Sequence, residues 1–269
     1  CKEYHVLGTA GRPDKLEYPI YDGTILKPKQ FFVEALCQLP TTMQHVHSFI
    51  VEPETKELNG SYANKILKLR PSPEKWVGTA TDFCSHVWKS SFQNFVDSLT
   101  AEAAQRGSNE PRYYWNDIWV LDYTKPLPDF FETFRTAIPT IGRTMLVMGS
   151  LKNAKPLTRA WCVWEIFCTI NAGCELAVVM PPSARVELKN MLTHQFKDVI
   201  KILMSVKSEK SEARFQSDKD TIFQIIREEC EGGFEGVNGV ICEGLRGWLS
   251  STALRLVSGV VEGEEVVEE

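Results

Sequence analysis

From residue 78 onward, short apolar runs of strand length alternate with amphipathic stretches of helix length. This alternation is typical of a parallel β-sheet, because each crossover between parallel strands needs a helix-sized connection. It predicts five parallel strands, at 80–85, 113–120, 143–149, 176–180 and 199–205. It predicts helices at 91–106, 129–139, 158–172, 183–193, 218–230 and 237–257. We therefore expect an α/β domain over residues 78–258, with any ligand near the carboxyl ends of its strands.

The first 77 residues differ from this pattern, since seven of the fourteen prolines lie there. Prolines at such spacing interrupt long helices, so we expect an N-terminal extension of loops and short strands packed on the main domain. Its best strand candidate is 45–51, where His45 and His47 would share one face. Two histidines without a third ligand do not make a metal site, and none is predicted.

Charge argues against nucleic acid as a partner. The chain has 30 Lys and Arg against 35 Asp and Glu, and its last nine residues hold five glutamates and no base. The rest of the chain is therefore neutral, whereas phosphate binding needs a clustered basic excess. We interpret residues 259–269 as an acidic, solvated tail.

The eight cysteines include no Cys-x-x-Cys pair and no spacing typical of structural zinc. Cys84, Cys162 and Cys168 lie in apolar stretches, as buried thiols do in reducing compartments, so we expect a cytoplasmic protein. The glycosylation sequon at Asn59 points the other way, but such triplets are common by chance. No apolar run approaches ~18 residues and no basic-then-apolar leader is visible, so neither a membrane span nor a signal peptide is predicted.

Glu165 is the most informative residue of the chain. In the stretch 160–170 (Ala-Trp-Cys-Val-Trp-Glu-Ile-Phe-Cys-Thr-Ile) it is the only side chain charged at neutral pH. A carboxylate inside such a buried helix must be paired, neutral or open to a cavity. It either pairs with a structural base such as Arg159 or Arg143, or serves a site. Trp161 is one turn away on the same face, which suits a flat cationic or sugar-bearing ligand.

Four segments in order carry a resemblance to a known family. They are Phe-Cys-Ser-His at 83–86, Tyr-Trp-Asn-Asp-Ile at 114–118, Met-Leu-Val-Met-Gly-Ser at 145–150 and Arg-Ala-Trp-Cys-Val-Trp-Glu-Ile at 159–166. Together they resemble the TIR (Toll/interleukin-1 receptor) domain, above all its plant-type members and divergent modules of algae and protists. The resemblance covers residues 78–205 and implies a flavodoxin-like three-layer sandwich, elaborated here by the N-terminal extension and added C-terminal helices.

The resemblance also implies a function. In TIR domains that cleave NAD+, the glutamate of the Trp-Cys-x-x-Glu helix is catalytic, and that position is Glu165 here. NAD+ would be the substrate, with no separate cofactor, and the domain would self-associate in signalling or innate immunity. Ser85 and His86 fall where the first-strand loop of the family meets the ligand, and Asp117 opens the next loop. The candidates for stacking on nicotinamide or adenine are Trp88, Trp115 and Trp161.

Two departures from the family pattern concern the site. The loop after the first strand is short, since Val87 to Ser90 leads almost directly into a helix, and Trp164 replaces an acidic residue beside Glu165. A catalytically inert TIR-type interaction module and a nucleoside deoxyribosyltransferase-like enzyme therefore remain as alternatives. A serine hydrolase dyad is excluded because Ser85 and His86 would point to opposite faces of a strand.

Overall fold

The computed structural model of the protein describes residues 20–21, 24–25, 41–56, 58, 60–107, 111–123 and 130–257. Outside the described residues lie the expected acidic tail at 259–269, Cys1, Cys37 and Asn59 of the sequon. In the described N-terminal part, β1 (Ile20–Tyr21) pairs antiparallel with β2 (Thr24–Ile25).

A parallel sheet forms the centre of the described chain, as the alternating pattern predicts. Its strands are β3 (Asp82–Ser85), β4 (Tyr114–Trp115), β5 (Arg143–Val147) and β6 (Glu175–Val179). Their spatial order is β4, β3, β5, β6. Asp82 lies opposite Tyr114, Cys84 opposite Met145, and Met145 opposite Ala177. The carboxyl ends of β3 and β5 therefore meet at one edge of the sheet.

Helices surround this sheet. In the N-terminal half they are α1 (Met43–Val46), a π-helical turn (His47–Val51), α2 (Glu52–Thr55), α3 (Tyr62–Leu69), α4 (Phe92–Arg106) and α5 (Asp117–Val120). In the C-terminal half they are α6 (Phe130–Ile141), α7 (Ala160–Asn171), α8 (Pro182–His194), α9 (Phe196–Leu203), α10 (Gln216–Glu229) and α11 (Gly233–Val257). The helices predicted at 91–106, 129–139, 158–172, 183–193, 218–230 and 237–257 are thus present as α4, α6, α7, α8, α10 and α11. Gly173 follows α7 in the left-handed conformation expected of a helix end (φ 68°).

Each strand sends alternate side chains to two separate cores. Phe83 and Leu146 join the core built by α6, α7 and the C-terminal helices. Cys84, Met145 and Val147 join the core built by α1, α4 and α5. Side chains of a strand point alternately to its two faces, so the sheet is buried on both sides.

The fifth strand expected at 199–205 is wrong, because this stretch is helix α9. Val199 and Leu203 are fully buried one helical turn apart, whereas Lys201 between them is exposed. The apolar residues therefore follow a helical rather than a strand period. In the described residues the parallel sheet has four strands.

The strand expected at 45–51 is also wrong, because α1 and the π-helical turn occupy it. Thr42 caps the helix by accepting a hydrogen bond from the backbone N–H of His45. Pro53 at the start of α2 lacks an N–H, and the wider turn before it accommodates the ring. The residues from 43 to 69 are therefore mainly helical rather than loops and short strands.

The second predicted strand, 113–120, is much shorter than expected. β4 ends at Trp115 because the side chain of Asn116 accepts a hydrogen bond from the Ile118 N–H (3.1 Å) and starts α5. This early ending places Asn116 and Asp117 at the carboxyl edge of the sheet, beside the end of β3.

The two C-terminal helices belong to the main core. Val237, Ile241 and Leu245 of α11 are fully buried in the same cluster as Trp164 of α7. α11 crosses α7 closely, since a Cβ at Gly244 would lie 2.3 Å from the Ile170 side chain. Within the described part of the chain, no helix combines the length and apolar character needed to cross a membrane.

Candidate active site

The end of β3 distributes its polar side chains between the two faces of the sheet. Ser85 points to α7, where its hydroxyl donates a hydrogen bond to Glu165 Oε2 (2.6 Å). His86 packs on the other side, edge-on against Phe95 of α4 (ring centroids 5.4 Å apart). The two residues are both buried, and the opposite orientation expected from their adjacency is observed.

Glu165 is a buried carboxyl without a cationic partner among the described residues. Its side chain lies in the second turn of α7, and only 8% of the residue is exposed. Burial raises the pKa of Glu165 to about 8. The hydrogen bond from Ser85 lowers this pKa because it favours the charged form, and the negative charge of Asp117 raises it by a smaller amount. The carboxyl is therefore largely protonated at neutral pH in the free protein.

The bases that could have neutralised Glu165 are used elsewhere. Arg143 binds three other carboxylates, those of Asp82, Glu102 and Glu175. Arg159 lies 3.8 Å from Glu212. The sequence left open an ion pair between Glu165 and Arg143 or Arg159. Neither arginine forms it among the described residues.

Asn116 contacts the His86 ring at the carboxyl edge. Its amide oxygen accepts from Ile118 N–H, so its nitrogen faces His86 Nδ1 at 3.1 Å and donates to it. This contact favours the neutral imidazole with its proton on Nε2, an atom that is buried and has no hydrogen-bond partner within the described residues. Burial lowers the pKa of His86, while Asp117 and the Cys84 backbone carbonyl act in the opposite direction.

Asp117 and Trp88 form the neighbouring part of the edge. The indole N–H of Trp88 donates to Asp117 Oδ2 (2.8 Å), and Asp117 Oδ1 lies 3.8 Å from His86 Nδ1. Tyr123 contacts the Trp88 ring edge-on at 6.1 Å. Burial, together with Asp117, raises the pKa of Tyr123, so its phenol is neutral. Ser85, His86, Trp88, Asp117 and Glu165 thus share the carboxyl edge of the sheet.

Trp161 and Trp115 lie in packed aromatic surroundings. The Trp161 indole donates its N–H to Asp218 Oδ2 (3.0 Å) at the start of α10, and its ring packs on Phe131 with centroids 4.9 Å apart. Trp115 stacks on Phe83 at 4.7 Å. Their large side chains join helices to the sheet here, and a stacking role toward a ligand stays a prediction for both.

Several residues that the sequence did not assign to the site also lie at this edge. The Cys162 thiol donates to the backbone carbonyl of His86 (3.3 Å), and burial raises the pKa of this thiol, so it is neutral and a poor nucleophile. His47 and Arg214 approach Trp88 from outside the sheet. Only Asn116 has a recognisable signal, since an asparagine before a short apolar run is a typical helix cap.

Among the described residues, no group of three or more His, Cys, Asp or Glu is arranged to hold a metal ion. The six described cysteines, among them Cys84 beside His86, are free thiols. Burial raises the pKa of Cys84 far above its ordinary value, which keeps it uncharged.

Comparisons with protein family models, with curated proteins and with solved structures gave no match.

Proposed function

We propose that the protein cleaves the bond between nicotinamide and ribose in NAD+, as a TIR-like glycohydrolase or cyclase with Glu165 as its catalytic carboxylate. The observation that carries the proposal is the buried Glu165 carboxyl, which has the Ser85 hydroxyl but no cation as a partner within the described residues. The same proposal holds that the protein folds as a flavodoxin-like sandwich and self-associates. It also holds that the protein is cytoplasmic and acts in signalling or defence.

A second buried carboxylate in the same chain provides a contrast. Asp82 is fully buried and is neutralised by Arg143 and by Arg112, whose Nη1 lies 3.0 Å away. Burying an unpaired carboxylate is costly, so a purely structural residue is expected to resemble Asp82. Glu165 lacks such neutralisation, and perturbed carboxyls of this kind cluster at functional sites.

The reaction needs one carboxylate. As the C1′–N1 bond of the nicotinamide riboside unit breaks, the bonding electrons leave with nicotinamide, which departs as a neutral molecule without a general acid. The positive charge then develops on C1′ and the ring oxygen, and an ionised Glu165 beside it stabilises this oxocarbenium-like centre. Water adds to C1′ and loses a proton to give ADP-ribose, or an adenine nitrogen adds to give a cyclic product.

Ser85 and the substrate both favour the ionised form of Glu165. The Ser85 hydroxyl donates to Oε2. Oε1 makes no hydrogen bond within the described residues, so it is available to accept from the ribose hydroxyls. The cationic nicotinamide ring favours the charged carboxylate, so substrate binding releases the proton that Glu165 holds in the free protein. Asp117 supplies a second negative charge at the same edge.

The test is nicotinamide release from NAD+, measured by chromatography at high protein concentration because self-association is expected. The parent protein is compared with Glu165→Gln, which keeps the shape of the side chain, and with Glu165→Ala. The matched control is Glu187→Gln, because Glu187 also accepts a serine hydroxyl, that of Ser150 (2.8 Å), but has Lys152 nearby (3.7 Å). Release that is lost in both Glu165 variants and kept in the control supports the proposal.

An inert interaction module is the second candidate. It is favoured by the small exposure of Glu165 (8%) and by the hydrogen bond that fixes Trp161 to Asp218. Absence of nicotinamide release at any concentration, with the circular dichroism spectrum of a folded α/β protein, would select it. Concentration-dependent assembly measured by light scattering would then be the property to follow.

A further inference from the structure

A segment after α9 is attached to the first turn of the catalytic helix α7. The Ala160 N–H donates to the Glu212 carbonyl, and the Glu212 N–H donates to the Thr158 carbonyl, each at 2.9 Å. These two hydrogen bonds form an isolated parallel bridge between Arg159 and Glu212. The 211–215 segment is therefore held beside the N-terminus of α7, five residues before Glu165 along that helix.

Arg214 of this segment extends to Trp88 at the carboxyl edge. Its guanidinium carbon lies 5.2 Å from the centroid of the Phe215 ring and 6.0 Å from that of Trp88, and the side chain is exposed. Within the described residues it has no carboxylate partner. The indole N–H of the same Trp88 is bonded to Asp117. A cation without a counter-ion thus lies beside the candidate site.

His47 of the π-helical turn contacts the same indole. Its ring centroid is 4.8 Å from that of Trp88, and it retains only 8% exposure. Its Nε2 atom is buried and has no hydrogen-bond partner in the described part of the chain. A buried polar nitrogen without a partner is rare in folded proteins and often marks the place of a missing ligand or water. Burial lowers the pKa of His47, Glu52 and Asp117 act in the opposite direction, and Arg214 lowers it further, so the imidazole is neutral.

Acidic and basic groups both reach this edge. Glu165 lies on the α7 side, Asp117 accepts from the Trp88 indole N–H, and Arg214 and His47 approach the Trp88 ring. A guanidinium group makes strong, charge-assisted hydrogen bonds to phosphate oxygens, and a neutral imidazole N–H adds a weaker one. A ligand that is cationic at one end and anionic at the other fits this distribution better than a purely cationic one.

We propose that Arg214 and His47 form a phosphate subsite, so that the protein selects nicotinamide nucleotides that carry a phosphate beside the ribose over nicotinamide riboside. The inference rests on the proposed function and deepens it by naming the chemical class of the substrate. The 211–215 segment lies outside the stretch 78–205 that resembles TIR domains, so the subsite is supplied by the C-terminal part of this chain.

The first arm of the test is a ratio of activities. Nicotinamide release is measured from nicotinamide mononucleotide and from nicotinamide riboside, which differ by one phosphate. We expect kcat/KM to favour the mononucleotide by about tenfold or more, since hydrogen bonds to charged groups contribute on that scale. Arg214→Gln brings the ratio close to one. An unchanged ratio in Arg214→Gln overturns the proposal.

Arg227→Gln is the matched control. Arg227 is also exposed and also lies over aromatic rings, 5.8 Å from that of Phe223 and 5.2 Å from that of Phe234, but it has no contact with Trp88 or His47. The preference for the mononucleotide should be the same in this variant as in the parent protein. A ratio reduced equally by both substitutions would contradict a subsite at Arg214.

The second arm does not depend on catalysis. Inorganic pyrophosphate is titrated into the protein while the imidazole resonances of His47 are followed by NMR. A saturable shift that disappears in Arg214→Gln supports the subsite even if no substrate releases nicotinamide, an outcome that would refute the proposed function alone. No shift of His47 in the parent protein at millimolar pyrophosphate overturns the subsite.

Discussion

The Ser85 hydroxyl donates a 2.6 Å hydrogen bond to Glu165, although 80 residues separate the two in the sequence. The bond joins the carboxyl end of β3 to the second turn of α7 and lies in the buried interior. It is the one hydrogen bond to the Glu165 carboxyl group from the described residues. The protonation of Glu165 therefore depends on a single neutral donor and on how little water reaches it.

The first prediction concerns stability and pH. The pKa of Glu165 is about 8 in the folded chain against an ordinary 4.5, so the folded state binds more protons between these values. Its contribution to stability is therefore complete below pH 4.5 and falls as the pH rises toward 8. Glu165→Gln removes this fall, so the variant gains stability relative to the parent between pH 5 and pH 9, by on the order of a few kcal/mol.

Urea unfolding of the parent protein and of Glu165→Gln, at several pH values in this range, measures the difference. Glu228→Gln on the exposed side of α10 serves as the control, because its side chain carries no burial cost. A constant difference between the parent and Glu165→Gln across the range would show that Glu165 is not held in its neutral form by burial.

The second prediction concerns the pH dependence of activity. If ionised Glu165 is required, kcat/KM for nicotinamide release rises with pH and levels off above about 8, the pKa of this group in the free protein. The hydrogen bond from Ser85 lowers the pKa of Glu165, so Ser85→Ala shifts the rise to higher pH. A loss of activity without this shift would assign Ser85 a purely structural role.

Ser150→Ala is the control for this experiment. Ser150 also donates to a glutamate, Glu187, at 2.8 Å, and it follows β5 at the same edge of the sheet. Its removal should leave the pH at which kcat/KM reaches half of its plateau where it is in the parent protein.

The third prediction concerns the proton on His86. Asn116→Asp keeps an oxygen to cap α5 but replaces the amide N–H₂ that faces His86 Nδ1 with a second oxygen. The carboxylate favours a proton on Nδ1, so the imidazole changes tautomer or becomes charged, and the pKa of His86 rises. Nitrogen-15 NMR of the histidine rings distinguishes these forms. An unaltered spectrum for His86 would show that Asn116 does not set its tautomer.

The fourth prediction concerns how α11 crosses α7. A Cβ at Gly244 would lie 2.3 Å from Ile170 Cδ1, whereas a Cβ at Gly247 meets no atom within 4 Å. Gly247→Ala should stabilise the protein by up to about 1 kcal/mol through helix propensity. Gly244→Ala forces Ile170 to move and should be less stable than Gly247→Ala by about 1–3 kcal/mol. Thermal unfolding of the two variants tests the contrast, and equal stabilities would contradict this close crossing.

The parts of the fold that the sequence predicted well are those with a strong local period. β3, β5, β6 and the helices around them combine apolar runs of the right length with clear ends, such as Gly173 after α7. The sequence of 199–205 is ambiguous because four of its first five residues are apolar, which fits a buried strand or a helix equally. Burial of Val199 and Leu203 on one side, visible only in the structure, distinguishes the two.

The sequence likewise predicted some features of the candidate site and not others. The sequence singled out Glu165 because a lone acid in an apolar helix is physically unusual, and placed Ser85 by strand alternation. It could not reveal that Ser85 contacts Glu165, or that Arg214 and His47 meet at Trp88. These contacts join segments far apart in the chain, and no local pattern encodes them.

The bridge between Arg159 and Glu212 also bears on the order in which the site forms. Chains are synthesised from the N-terminus, so β3, β5 and α7 emerge from the ribosome well before residue 212 does. Until then the backbone N–H of Ala160 lacks its acceptor, the Glu212 carbonyl. The start of α7 is then completed only after all four strands of the parallel sheet have been synthesised.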